Sequence, residues 1–189
     1  MTETTVQTAN DVVDFLVGQH NEIKRLFSET LRSRDGNHRD EAFVELRRLL
    51  AVHETAEEMV VHPAARRNLA FGNGIVDARL EEENEAKKHL AELESMDIDS
   101  EEFVDLLIKL QSAVLEHAEH EEQEEFSALR EVVEPKQLRM YTAAVRAAEK
   151  LAPTRPHAGV ELATVNFAVG PFAAMIDRAR DAIKQATAD

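Results

Sequence analysis

The scarcity of helix-breaking residues constrains this fold more than any other feature of the sequence. The chain contains only 6 Gly and 5 Pro in 189 residues, and apolar residues between them recur at helical rather than alternating spacing. Asn10 suits the N-cap of a first helix, and Asp99 with Glu102 suits a capping pair for a fourth. We predict five helical segments before the composition changes, at about residues 10–34, 39–68, 75–96, 100–134 and 135–151.

Short turns between long helices indicate an all-α fold, built as an antiparallel up-and-down four-helix bundle. Three of the five prolines fall after residue 151, where an extended cover is favoured over a helix. Gly170 and Pro171 then begin a last amphipathic segment. We therefore predict a bundle domain over 10–134 and a C-terminal extension over 135–189, with one or two further helices and a Pro-containing cover segment.

Composition excludes several classes of protein. Lys+Arg is 22 against Asp+Glu 37, a formal charge of −15, which opposes nucleic acid and anionic lipid as partners. The absence of cysteine removes thiol catalysis, zinc fingers and disulfide scaffolds. The first residues lack a signal-peptide pattern, and no stretch approaches ~18 uncharged apolar residues. We expect a cytoplasmic protein without a membrane partner.

Histidines and glutamates interrupt the apolar stripes of four predicted helices, judged at about 100° per residue. One helix contributes a single histidine, another contributes a less central one, and two contribute a histidine and a glutamate four residues apart. These residues are His20, His53 with Glu57, His89, and His117 with Glu121. His62 lies roughly opposite its stripe and His120 lies off-centre, so we expect both, like His38 and His157, at the surface.

The second and fourth segments resemble each other at an offset of 64 residues. HETAEEMVVHPAAR aligns with HAEHEEQEEFSALR, which matches His53 with His117 and Glu57 with Glu121. Four His-x-x-x-Glu spacings occur in the chain, yet only these two lie on a core stripe. The two helices are therefore expected to contribute the same ligands to one site.

Two glutamates that face a bundle interior require compensating positive charge. No Lys or Arg lies beside them on the predicted central stripes, whereas a dinuclear metal centre would supply the charge. The ligand set that this reasoning selects is His20, His53, Glu57, His89, His117 and Glu121. Six protein ligands leave positions at which a small oxidant would bind.

The same residues resemble the hemerythrin-like, or HHE, cation-binding domains, whose pattern is His, HxxxE, His and HxxxE on four successive helices. The resemblance covers about residues 10–134, and the tail APTRPH at 152–157 looks like actinobacterial members. It implies two iron ions, bridged by Glu57 and Glu121 together with an oxo or hydroxo group. It also implies chemistry with dioxygen, nitric oxide or hydrogen peroxide.

The sequence departs from the oxygen-carrying hemerythrins, which keep a further terminal His and a bridging Asp. Members with the reduced set are thought to decompose hydrogen peroxide, and this catalase-like activity is the predicted function, with Glu57 and Glu121 in the catalytic centre. The alternative is reversible binding or sensing of dioxygen, nitric oxide or iron without turnover. A helical protein without metal, or with zinc, is the structural alternative.

Three assignments stay open at this stage. The turn near residue 98 puts His89 about 15 Å from the expected ligand level at 1.5 Å per residue, so Glu82 or Glu85 is the alternative third-helix ligand. Tyr141 is either a packing residue or a phenol that caps the iron site as a catalytic group. Five further glutamates are predicted to form a solvated acidic face, with Glu58 or Glu122 as possible partners of the ligands: Glu54, Glu58, Glu122, Glu124 and Glu125.

Overall fold

The computed structural model describes residues 10–33 and 35–150, and its regular elements are all helical. This confirms the predicted all-α class; the segment that begins at Gly170, the cover segment and His157 lie outside the described residues. The elements are α1 (Val12–Arg32), α2 (Gly36–Ala56), a π-helical turn π1 (Glu57–Val61), α3 (His62–Asn68), α4 (Gly72–Leu93), α5 (Glu101–His120), a second π turn π2 (Glu121–Phe126), α6 (Ser127–Val132) and α7 (Pro135–Glu149).

Four long rods enclose the interior of the fold. The first rod is α1, and the second is the continuous run α2–π1–α3. The third rod is α4, and the fourth is the run α5–π2–α6. Each rod packs against its neighbour in the chain, and α5 packs back on α1, which closes a ring. Helix α7 packs outside this ring against α1, α2 and π1. None of the described helices is long and apolar enough to cross a membrane.

The apolar core is divided into two clusters, and each rod contributes to both. The upper cluster includes Leu16, Val61 and Phe126, and the lower cluster includes Phe27 and Phe103. Along α1 and α4 the chain enters the upper cluster first, whereas along the second and fourth rods it enters the lower cluster first. The level between the clusters is where polar residues of all four rods meet.

The helix caps differ slightly from the prediction. Asp11, not Asn10, caps α1, because its side chain accepts hydrogen bonds from two backbone amides of the first turn at 3.0 and 3.1 Å. Ser100, not Asp99, caps α5 with a single bond of 3.1 Å. Asp99 instead lies 3.4 Å from the guanidinium of Arg39. Neighbouring residues with equal capping propensity cannot be separated by sequence alone.

Helix α4 begins at Gly72, three residues before the predicted start near residue 75. Gly72 is buried, and a Cβ at this position would lie 2.3 Å from the carbonyl oxygen of Ala65. Gly72 therefore allows α3 and α4 to approach each other closely, and it lies in a helix rather than in a loop. Pro135 occupies the first turn of α7, as the sequence predicts.

Candidate metal centre

Both HxxxE motifs end at the start of a π turn. Glu57 begins π1 and Glu121 begins π2, so the repeat at an offset of 64 residues extends to an uncommon backbone feature. Pro63 follows π1 but Ser127 occupies the matching position after π2, so proline is not the shared cause. π turns inside α-helices occur frequently at functional sites.

A π turn absorbs one extra residue and so rotates the helix that follows it. His62 is nine residues after His53, about 180° round a regular helix, and the extra residue brings it to about 80°. His62 is accordingly buried, at 2 % exposure, rather than on the surface. Glu125 is also buried, at 0 % exposure, and it is four residues after Glu121, about 40° round a regular helix. Both predictions of surface positions are wrong: His62 is turned inward by the π turn, whereas Glu125 shares a face with Glu121.

Four of the predicted residues form one tight, buried cluster. Ligand atoms of His20, His53, Glu57 and Glu121 all lie within 4.8 Å of one another. His20 Nε2 is 3.3 Å from a Glu121 oxygen, and His53 Nε2 is 3.2 Å from a Glu57 oxygen. His117 adjoins this cluster, with its Nε2 3.4 Å from the other Glu121 oxygen. The structure thus brings five of the six predicted ligands together.

The three histidines of this group share one orientation: Nδ1 faces an outer acceptor and Nε2 faces the interior. The outer contacts are His20 with Glu122 (2.8 Å), His53 with Gln19 (2.9 Å) and His117 with Glu82 (2.9 Å). An acceptor at Nδ1 fixes the proton there and leaves the Nε2 lone pair directed inward. Histidines that bind metal ions in proteins are oriented in this way.

The sharpest geometric feature is the contact of His20 Nε2 with His53 Nε2 at 3.1 Å. Gln19 donates its amide group to Glu149 on α7, so its oxygen faces His53 and takes the Nδ1 proton. Two neutral imidazoles held with their lone pairs opposed repel each other. A proton or a metal ion must therefore lie between them.

The interior carboxylates have close histidine neighbours but accept no hydrogen bonds from the described residues. Glu57 and Glu121 are 0 % exposed, and none of their four oxygens has a hydrogen bond within the described part of the chain. Burial and the nearby Glu121 raise the pKa of Glu57 well above its usual range. Burial acts likewise on Glu121, but His117 and His20 hold its pKa well below. Two carboxylates in this setting fit a pair of cations.

A second buried cluster lies next to the first. His62 Nε2 is 2.8 Å from a Glu83 oxygen, and Nδ1 is 3.0 Å from a Glu125 oxygen. Ligand atoms of His62, Glu83 and Glu121 lie within 4.8 Å of one another. The second Glu125 oxygen is buried without a hydrogen bond among the described residues. Glu121 therefore belongs to both clusters.

A buried lysine adjoins this second cluster, contrary to the predicted absence of basic residues. Lys87 Nζ lies 2.7 Å from Glu58, 3.1 Å from Glu83 and 3.5 Å from Glu54. These carboxylates raise the pKa of Lys87 against the effect of burial. Glu54 and Glu58 are consequently buried rather than solvated, whereas Glu122 and Glu124 are exposed, as predicted.

One lysine does not balance the buried acids. Six glutamates are buried among the described residues: Glu54, Glu57, Glu58, Glu83, Glu121 and Glu125. Arg79 is also buried, but its ion pairs are with Glu82 and Glu124 at the edge of the interior. The need for additional cations, inferred from sequence, therefore persists in the structure.

His89 is not part of either cluster. It is partly exposed, and its Nδ1 has no hydrogen-bond partner among the described residues. It follows Glu83 by six residues, about 9 Å along the helix, so it lies below the level at which the rods meet. The two alternatives do not face the interior: Glu82 binds the outer nitrogens of His117 and His120, and Glu85 is exposed beside Lys88.

Tyr141 lies on α7, away from the hydrogen bonds of the centre. It packs at the edge of the upper apolar cluster, and its hydroxyl accepts a hydrogen bond of 2.8 Å from Gln137 on the exposed side. Among the described residues, no hydrogen bond joins it to a histidine or glutamate of the centre. This placement is that of a packing residue.

A small cavity opens onto the nitrogen-rich side of the centre. Its volume is about 10 Å³, roughly the room that one water molecule requires. His20, His53 and His117 border it together with Glu54, and the remaining wall is apolar. The apolar lining residues are Ile23, Leu50, Val114, Leu115 and Ala118.

Comparison with known proteins assigns the chain to a family. The "Hemerythrin HHE cation binding domain" family profile matches residues 11–129. The chain belongs to this hemerythrin HHE family. Family membership and the clusters of His and Glu together identify a metal-binding protein. The actinobacterial subtype stays a prediction, since the residues 152–157 that suggest it lie outside the described structure.

One relative of this HHE protein is a "DNA nickase" from Nostoc sp., which is 27% identical over 139 residues. The alignment covers 74% of this chain and 39% of the relative. The chain thus spans well under half the length of that protein. No solved structure matches the sequence.

Proposed function

We propose that this protein is a cytoplasmic non-haem di-iron enzyme that decomposes hydrogen peroxide to water and dioxygen. The observation that carries the proposal is the convergence of opposed histidine Nε2 atoms on Glu57 and Glu121, whose oxygens accept no hydrogen bond from any residue that the structure describes. In this proposal Glu57 and Glu121 would help to hold two iron ions, which the resemblance to the family pairs with an oxo or hydroxo group. The alternating order of the two apolar clusters along the rods supports the predicted antiparallel bundle around them.

The chain supplies geometry and a dry environment for this chemistry. When bound, iron would supply two-electron redox chemistry, by which one peroxide is reduced to two waters and a second is oxidised to dioxygen and two protons that balance the reduction. Gln19, Glu122 and Glu82 hold the histidine rings so that Nε2 faces inward. The cavity beside them admits a molecule about the size of water and has a mostly apolar wall.

Gas evolution from peroxide tests the proposal. The iron-loaded protein should release dioxygen catalytically, and Glu57→Gln or Glu121→Gln should abolish the release. Glu116→Gln is the matched control, because Glu116 is on the same rod as His117 but is exposed. Equal rates in all variants, or no rate in protein that holds two irons, would exclude catalase-like activity.

A second candidate function is sensing of dioxygen, nitric oxide or iron without turnover. It is favoured by the hydrogen-bond chain from His53 through Gln19 to Glu149, which connects the centre to α7 outside the four rods. Occupation of the centre could therefore alter the position of α7. A stoichiometric spectral change on exposure to the gas, with no consumption beyond one equivalent, would support this candidate.

We do not extend the nicking activity of the Nostoc relative to this chain. The formal charge of −15 opposes contact with a phosphate backbone. Supercoiled plasmid incubated with the protein and Mg²⁺, without iron or peroxide, should stay supercoiled. Appearance of the open circle would show that nucleic acid is a substrate after all.

We assign Tyr141 a packing role rather than a catalytic one. Its hydrogen bond to Gln137 on the exposed side of α7 supports this assignment. The absorption spectrum of the iron-loaded protein should be the same in Tyr141→Phe. A shifted or lost charge-transfer band would return the phenol to the iron site.

A further inference from the structure

We infer that the second metal ion of the centre is held by His62 and Glu83, with Glu121 shared between the two ions, and that His89 has no part in it. This inference rests on the proposed di-iron function and specifies its ligand set. It replaces the third-helix histidine of the sequence pattern by a glutamate on α4 and a histidine that directly follows π1.

The His62 ring has the same orientation as the rings of His20, His53 and His117. Its Nδ1 faces Glu125 at 3.0 Å, as the others face Glu122, Gln19 and Glu82. Its Nε2 faces an interior carboxylate at 2.8 Å, compared with 3.2 to 3.4 Å for the other three. A metal ion at Nε2 would replace the proton there and leave the Nδ1 bond intact.

Glu83 is the residue of α4 that lies at the level of the centre. Val76 and Leu80 precede it in the upper apolar cluster, and Ala86 and Leu90 follow it in the lower one. His20 on α1, His53 on the second rod and His117 on the fourth rod occupy the same interval between the clusters. His89 falls beyond Ala86, at the height of the lower cluster but outside it.

Lys87 and Glu125 act as positioning residues in this arrangement. Lys87 lies 3.1 Å from one Glu83 oxygen, while the other Glu83 oxygen faces His62. The lysine thus fixes the carboxylate with one oxygen free for an ion. Glu125 fixes the orientation of the His62 ring through its contact with Nδ1. Its second oxygen is buried and has no hydrogen bond to any residue that the structure describes.

The two ion sites are then chemically unequal. Each site has two carboxylates, Glu57 and Glu121 in the first and Glu83 and Glu121 in the second, but the first has two imidazoles, from His20 and His53, and the second has only that of His62. A nitrogen-rich site holds divalent iron or cobalt more firmly than an oxygen-rich one of equal size. The second equivalent of metal should therefore be the first that a chelator removes.

Metal content per chain tests the inference directly. The protein is loaded anaerobically with Fe(II), or with Co(II) as a redox-silent probe, dialysed and analysed for metal. Wild type should hold two equivalents, and Glu83→Gln and His62→Gln should each hold about half as much. His89→Gln is the control and should hold two. Oxidised Glu83→Gln should also show the paramagnetic resonance of a single ferric ion, which a coupled ferric pair lacks.

Modification of the wild-type protein avoids any question of whether a variant folds. His89 is partly exposed, so diethyl pyrocarbonate should modify it equally in loaded and metal-free protein. Protection of His89 by metal, or two equivalents in both Glu83→Gln and His62→Gln, would overturn the inference while leaving the di-iron function standing. A wild-type protein that retains no iron would overturn the proposed function itself.

Discussion

The substitution Glu57→Gln should stabilise the metal-free protein and weaken the metal-loaded one. Glu57 is 0 % exposed, and neither of its oxygens accepts a hydrogen bond from any residue that the structure describes. A buried acceptor without a hydrogen bond costs about 1–3 kcal/mol, and more where the group is charged. A neutral amide removes the two effects that raise the pKa of Glu57, the burial of a charge and its repulsion with Glu121. We expect a gain of about 2 kcal/mol, or roughly 4–8 °C in melting temperature for a chain of this size.

Bound metal should reverse this order of stabilities. An ion at a free concentration 100 times its Kd adds about 2.7 kcal/mol to the wild type, and each tenfold loss of affinity in the variant removes about 1.4 kcal/mol of that. The assay is thermal unfolding of both proteins after chelation and again with Co(II). Glu116→Gln should change neither curve. The reasoning is refuted if Glu57→Gln is less stable than wild type after chelation, or if metal stabilises both proteins equally.

Three further substitutions follow from contacts in the structure. Gln19→Leu removes the acceptor that fixes His53, and should lower metal affinity about 10–100-fold, measured by competition with a chelator; unchanged affinity would count against this role. Gly72→Ala places a methyl group against the Ala65 carbonyl and should cost about 1–3 kcal/mol, measured by urea unfolding; an unchanged midpoint would contradict the close approach. Val114→Phe fills the cavity and should slow peroxide consumption by about tenfold or more without loss of iron; an unchanged rate would exclude this route of entry.

The sequence sufficed for the residues that precede each π turn. His20, His53 and His117 follow regular helical periodicity, and so do the first residues of the turns, Glu57 and Glu121. A spacing of about 100° per residue therefore places them correctly. The double HxxxE motif identified the family for the same reason. The face of the helix on which these residues lie follows from regular periodicity alone.

His62, which directly follows π1, could not be placed in this way. It lies on what a regular helix presents as its outer face, and only the extra residue of the π turn brings it inward. The match at an offset of 64 indicates that the two helices are alike, but it does not reveal that either contains a π turn. The backbone has to be known before His62 can be assigned. Glu125, by contrast, is four residues after Glu121, about 40° round a regular helix, so periodicity already allows it to face inward.

On the third rod, α4, a different limit applies to what the sequence can predict. The run EEENE at 81–85 offers several carboxylates, and periodicity cannot distinguish the buried Glu83 from the partly exposed Glu82. The level of each residue depends on where the turns lie, and α4 begins at Gly72 rather than near Ile75. Lys87 lies one turn beyond Glu83 on the same face of α4, so its burial beside Glu83 depends on the height of Glu83 in the bundle.

The central claim is that buried glutamates and histidines form a cradle for two cations, and anomalous X-ray scattering at the iron edge tests it most directly. Crystals of the iron-loaded protein should show two peaks about 3.5–4 Å apart, the separation typical of paired metal sites, both adjoining Glu121. A single peak at the surface, or no peak with Glu57 and Glu121 packed against hydrocarbon, would contradict the account.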